Sequence, residues 1–281
     1  MKVAIDSYSY HRYFGEIYPN LERDPGSRMT VADFVERAHM LGVAGVSLES
    51  CFLPNPSAEE ITRLRTQLDD LNLERVWAWG HPGGLQSGAA PQQLTDLMRH
   101  TEIAAAVGAP VMRVCCGGRR TRPADWPAHK AALLPLLREA CAHAEQHGVV
   151  LAIENHIDFL ADELVELIET IGSSWLGVCL DTANNLRMLE DPAIAIEKLA
   201  PYARATHIKD VTAHRGNPRE FAFWPSVPLG RGLIDLPHAF TALRRHGYQG
   251  LLALEIDYLH PDYPSDADAI ADSLAYMRSL L

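Results

Sequence analysis

Four apolar runs in the second half of the chain end in side chains that bind cations or carry protons. VVLAIENH ends in Glu154 and His156, LGVCLDTANN in Asp181 and Asn184, ATHIKD in His207, Lys209 and Asp210, and LLALEID in Glu255 and Asp257. The intervals are regular: 181 − 154 = 27, 207 − 181 = 26 and 255 − 207 = 48 residues, the last lengthened by one long loop. If each run is a strand of one parallel sheet, Glu154, Asp181, His207 and Glu255 converge at its C-terminal edge. Three carboxylates held together repel unless they are protonated or neutralised, and burying unpaired charge is costly. One divalent metal ion resolves the repulsion. Two or three carboxylate oxygens with one imidazole nitrogen suit Mn2+, Co2+, Mg2+ or Zn2+ rather than metals that prefer thiolate. Taken singly, each residue has an ordinary use: a rim salt bridge for either glutamate, a turn cap for Asp181, a hydrogen-bonded core position for His207. Their joint placement on successive runs favours the metal centre.

Around these four stands a second group. His81, in WAWGHPGG, and His156 are placed to bind or protonate a substrate hydroxyl. Arg113, ending a run, and Arg215, in the long loop, offer bidentate bonds to a carboxylate or phosphate. Glu49, in SLES, is a rim residue placed to contact ligand, and Asn184 can hydrogen-bond a hydroxyl but cannot trade protons near neutral pH. Lys209 lies two residues from His207 and so shares its strand face. Asp210 is expected to pair with Lys209 or to orient His207. Trp77 and Trp79 share a face and read as packing.

The elements that must position these residues follow from periodicity. Eight short apolar runs begin at Val3, Val43, Leu73, Pro110, Val149, Leu176, Ala203 and Gly250. Between them lie eight helix-like stretches near residues 31–41, 57–70, 91–107, 127–147, 162–171, 191–200, 236–246 and 266–280. Thr30 and Ser57, the latter followed by Glu60, are start signals, and Gly108, Gly148 and Gly247 are stop signals. Eight alternations in 281 residues predict a single (β/α)8 TIM barrel domain spanning residues 1–281. An open doubly wound sheet would carry a glycine-rich phosphate fingerprint, and the sequence has none. The longest irregular stretch, 212–235, follows the seventh run and holds Phe221, Phe223 and Trp224. Loops of that length and composition are usually functional, so it is expected to be a lid, with a subunit contact in a homo-oligomer as the alternative.

Charge narrows the partners. With 25 Lys plus Arg against 36 Asp plus Glu, the formal charge is −11, which disfavours nucleic acid and anionic membranes and favours a small-molecule substrate. No stretch is apolar enough to span a bilayer and no signal-peptide core is visible, so a cytoplasmic protein is expected. The five cysteines are scattered and read as small core residues.

The motifs IENH, CLDTAN, HIKDV with the later PLGRGLID, and LEID, in this order, resemble the sugar phosphate isomerase/epimerase superfamily with its xylose isomerase-like barrel. The resemblance extends over nearly the whole chain, with the specific motifs within 150–260. It implies that Glu154, Asp181, His207 and Glu255 hold the metal, as in the ketose 3-epimerase branch, and that Glu154 and Glu255 are the catalytic acid/base pair. That branch places a histidine where this chain has Asn184. Dehydratases of keto-inositol or dehydroshikimate type share the barrel and metal, as do isomerases of hydroxypyruvate. The implied chemistry is a metal-stabilised enediolate, formed by removing a proton next to a carbonyl. Its return to the opposite face gives epimerisation, to the neighbouring carbon isomerisation, and loss of a β-hydroxyl dehydration. An endonuclease IV-like nuclease needs more histidines than this set supplies, and a non-catalytic sugar-binding barrel would not need both glutamates.

Overall fold

A computed structural model describes residues 1–281. The strands are β1 Lys2–Asp6, β2 Gly45–Glu49, β3 Glu74–Trp79, β4 Val111–Val114, β5 Val150–Glu154, β6 Leu176–Asp181, β7 Ala203–Ile208 and β8 Leu251–Leu254. All pair in parallel with their sequence neighbours, and β1 also pairs with β8, closing the barrel. The surrounding helices are α1 Val31–Met40, α2 Ala58–Asp70, α3 Gln93–Val107, α4 Trp126–His147, α5 Ala161–Ile171, α6 Pro192–Leu199, α7 Leu236–Arg245 and α8 Asp266–Ser279. Each predicted run and helix is present. Thr30 and Ser57 start α1 and α2 through reciprocal bonds with Asp33 and Glu60, which satisfy backbone N–H groups that the first helical turn leaves open.

Strand alternation divides the core in two. Sixty-five buried residues, Leu151, Ile153, Val178 and Leu180 among them, form the layer between strands and helices. A separate cluster of Ala4, Val76, Ala152, Cys179, Ala205, Leu251 and Ala253 lies on the opposite strand face and fills the barrel interior. That second cluster is what positions the chemistry. Adding two residues to Ala152, Cys179, Ala205 and Ala253 gives Glu154, Asp181, His207 and Glu255, the next inward-facing position on each strand. Small side chains below leave room for four large polar ones above. The same step from Ala4 gives Asp6, a fifth inward group.

Two short helices, His11–Phe14 and Asn184–Arg187, were not anticipated; both follow strands at the site end of the barrel. All five cysteines are free, and only Cys51 is not fully buried. No helix is long and apolar enough to cross a membrane.

Candidate metal centre and active site

Ligand atoms from Glu154, Asp181, His207 and Glu255 lie within 4.8 Å of one another, and all four residues are buried. His207 stands between the glutamates, with Nδ1 3.5 Å from Glu154 Oε1 and 3.2 Å from Glu255 Oε2. Behind it, Nε2 lies 3.4 Å from Asp6 Oδ2, the carboxylate-behind-imidazole arrangement that orients metal-binding histidines. Asp181 Oδ1 accepts the backbone N–H groups of Ala183 and Asn184, which leaves Oδ2 facing the cluster.

Lys209 shares the inward face, as the spacing predicts, and its Nζ lies 2.7 Å from Glu255, 3.2 Å from Asp181 and 3.2 Å from Asp257. Burial works against its charge, but Asp181, Asp257 and Glu255 outweigh burial and hold it protonated. Arg113 contacts Glu49 and approaches Glu154 to 3.4 Å, while Arg187 makes a two-point contact with Asp257 at 2.8 and 3.2 Å.

Counting charge tests the fit of a metal. Six buried carboxylates (Asp6, Glu49, Glu154, Asp181, Glu255, Asp257) face three buried cations (Arg113, Arg187, Lys209), so 3 − 6 = −3 before His207 is counted. Burial opposes a charge on His207, but Cys179, Glu255, Asp6 and Glu154 outweigh burial and raise its pKa, so its proton leaves −2. Asp181 Oδ2 and His207 Nδ1, the nitrogen that faces the two glutamates, are also buried without a hydrogen bond. An excess of negative charge around open oxygen and nitrogen donors fits one divalent cation, which would displace the His207 proton.

Above the donors is a cavity of about 170 Å³, lined by Glu154, Glu255, Lys209 and Asp257 together with Tyr8, Tyr18, His156 and Phe221. A larger groove of about 610 Å³ lies between the loops after β2 and β3 and the start of α3. It meets the smaller cavity at His81 and Pro82 but holds none of the four donors, so the chemistry belongs to the smaller one.

The second group of sequence candidates divides. His156 lines the cavity, and with Nδ1 2.7 Å from the Gly117 carbonyl its N–H is fixed there, leaving Nε2 as an acceptor. His81 lines it too; burial opposes its charge, but Glu16 and Glu49 raise its pKa. Arg113 reaches the cavity, although its guanidinium is engaged by Glu49 and Glu154. Glu49 is buried beneath as that partner. Asn184 is fully buried and its amide donates to Glu154 Oε1 at 3.1 Å, so it holds the glutamate rather than facing the cavity. Arg215 is exposed and does not line the cavity; Arg187 does. Asp210 turns away from Lys209 and His207 and accepts the N–H groups of Gly230, Gly232 and Ile234, tying down the long loop. A Cβ at Gly232 would stand 2.1 Å from Asp210 Oδ1, so that loop base requires glycine.

Of the loop aromatics, Phe221 covers the cavity, 4.6 Å from the Tyr18 ring and 5.0 Å from the Arg187 guanidinium carbon. Phe223 packs on Trp224 beside the cover, and Trp224 is buried. Tyr8, Tyr18, Asp6 and Arg187 are the residues that sequence reasoning missed. Only Asp6 had a signal of its own, a strand-end aspartate in MKVAID; Tyr8 lies in the aromatic stretch SYSYHRYF, Tyr18 just beyond it, and Arg187 one helical turn beyond Asn184, where spacing assigns no direction.

A closed parallel barrel with ionisable groups gathered at the strand C-termini is the architecture of TIM-barrel enzymes. The chain belongs to the xylose isomerase-like TIM barrel family, whose model matches residues 35–280. It is 26% identical over 188 residues to 3-oxo-isoapionate decarboxylase of Pectobacterium atrosepticum, covering 67% of this chain and 63% of that protein. It is 36% identical over 109 residues to 2-epi-5-epi-valiolone 7-phosphate 2-epimerase of an Actinoplanes species, covering 38% of this chain and 37% of the relative. The matched regions thus span less than two thirds of either relative's length. The fold is shared with D-psicose 3-epimerase, at a TM-score of 0.76 and 17% identity over 100% of this chain and 99% of the other.

Proposed function

We propose that this protein is a metal-dependent isomerase or epimerase of a small sugar or polyhydroxy ketone, acting through an enediolate with Glu154 and Glu255 as the acid/base pair. The convergence of three carboxylates and one imidazole on one buried point, beneath a covered cavity, carries the reading. A divalent ion held by Glu154, Asp181, His207 and Glu255, with Mn2+ first for this oxygen-rich set, supplies a Lewis acid to a carbonyl and its neighbouring hydroxyl.

The chain's own groups do the rest. Burial raises the Glu154 pKa, but Arg113 and His207 outweigh it and hold the carboxylate ionised, ready to accept a proton; Asn184 fixes its orientation. Glu255 reaches the cavity from the end of β8, three strands away, so the two carboxylates approach a bound carbon from different directions. One removes a proton and the other returns one. His156 Nε2 is placed to accept a substrate hydroxyl, and Phe221 with Tyr18 limits water around a reactive enediolate.

A lyase outcome, such as dehydration of a keto-inositol or dehydroshikimate, is the second reading. The similarity to a decarboxylase favours it, because loss of a substituent starts from or leads to the same stabilised enolate. Incubating ketoses, keto-inositols and keto acids with the Mn2+-loaded protein in deuterated water tests the proposal. Deuterium uptake beside the carbonyl, abolished in the Glu154→Gln, Glu255→Gln double variant, is expected; undiminished uptake by that variant refutes the acid/base roles. Product analysis then separates epimerisation, isomerisation and elimination.

A further inference from the structure

We infer that Glu102, His143 and His147 form a second metal site, on the outer wall of the barrel, for a borderline transition-metal ion such as Zn2+. Their ligand atoms lie within 4.8 Å of one another. His143 and His147 are one turn apart on α4, so their side chains rise from the same helix face, with ring centroids 4.3 Å apart. Glu102 reaches them from α3, with Oε1 3.4 Å from His143 Nε2. For ligands about 2.1 Å from zinc, the edge of a tetrahedron is about 3.4 Å, so this pair already stands at the separation that an ion would impose.

Hydrogen bonding leaves the donors open. His147 Nδ1 lies 3.0 Å from the His143 carbonyl and can only donate to it, which fixes that tautomer and leaves the Nε2 lone pair free. His143 Nε2 is buried and has no hydrogen-bond partner, although it faces a carboxylate. A cation between them satisfies both. Two imidazoles and one carboxylate favour Zn2+, Ni2+ or Cu2+ over Mg2+ or Mn2+, whereas the oxygen-rich barrel centre accepts the harder ions.

The site is remote from the cavity. His143 and His147 lie at the end of α4 that leads into the start of β5, and Glu154 lies at the far end of that strand. An ion there ties α3 to α4, and its fourth position is open to water.

Equilibrium dialysis of the metal-free full chain against Zn2+ tests the assignment. The wild type is expected to bind one more zinc per chain than the His143→Gln, His147→Gln double variant, whether the barrel centre takes zinc or not. Glu102→Gln should weaken that extra site about tenfold, and uptake of Mn2+ should be equal in all three. Deuterium-exchange activity of the Mn2+-loaded protein should be unchanged, since none of the three residues lines the cavity. If the double variant fails to fold, His147→Gln alone, at an exposed position, must still weaken zinc binding at least tenfold. Equal zinc stoichiometry and affinity in the wild type and the variants overturns the inference.

Discussion

Replacing Asp181 with asparagine should stabilise the metal-free protein while removing its response to metal. In the metal-free centre, burial and the neighbouring glutamates raise the Asp181 pKa from 3.8 to about 6, more than Lys209 lowers it. A rise of roughly 2 units corresponds to about 3 kcal/mol at pH 7, the penalty for keeping that carboxylate ionised in the fold. For an acid whose folded pKa is raised, the favourable contribution is complete below pH 3.8 and is lost as pH rises through about 6. The metal-free Asp181→Asn protein should therefore match the wild type near pH 4 and exceed it by up to about 3 kcal/mol at pH 7. A metal at 100 times its dissociation constant adds about 2.7 kcal/mol to a protein that binds it only when folded. Mn2+ should thus raise the melting temperature of the wild type by roughly 5–10 °C and leave the variant nearly unchanged. Urea unfolding at pH 4 and pH 7, with chelator and with Mn2+, reads both effects. A metal-free variant clearly less stable than the wild type at pH 7, or equal stabilisation of both by Mn2+, refutes the reasoning.

Asp6→Asn removes the carboxylate behind His207 Nε2 and should weaken Mn2+ binding about 10- to 100-fold without unfolding the barrel, as competition with a chromophoric chelator would show. Exchanging Phe221, Phe223 and Trp224 for serine together should lower turnover with no change in solution mass; dissociation of an oligomer with per-site activity intact would instead make the segment an interface. His129 is buried with both ring nitrogens unpartnered against Phe159, and burial lowers its pKa to about 4. A histidine lowered in this way costs stability as pH falls from 6.5 towards 4, so His129→Phe should flatten the pH dependence of unfolding across that window.

The barrel was legible because its strands are covered on both faces and read as apolar runs, while its helices carry their own start and stop residues. The four donors were legible for a related reason: each stands two residues beyond a small inward residue, at the point where an apolar run meets the cavity. Asp6 obeys the same rule beyond Ala4, and it is hidden because the apolar run before it, Val3 to Ile5, is only three residues long and carries no neighbouring motif. Arg187, Tyr8 and Tyr18 were not legible. Arg187 sits on a helix of four residues, Tyr8 on a single turn and Tyr18 in an irregular loop, all too short or aperiodic for hydrophobic spacing to assign a direction. Pairing was equally hidden: nothing in the spacing shows that Arg113 meets Glu49, that Asn184 holds Glu154, or that Asp210 anchors the loop. Those choices depend on which side chains the barrel's stagger brings together across different strands.

Anomalous scattering from crystals of this protein grown with Mn2+ would locate the ion outright. One strong peak is expected in the barrel, about 2.0–2.2 Å from an oxygen of each of Glu154, Asp181 and Glu255 and from a nitrogen of His207, with the Lys209 ammonium moved aside. A barrel with no peak there and Lys209 still bridging Asp181 and Glu255, in crystals that take up Mn2+ elsewhere, would contradict a metal centre at these four residues.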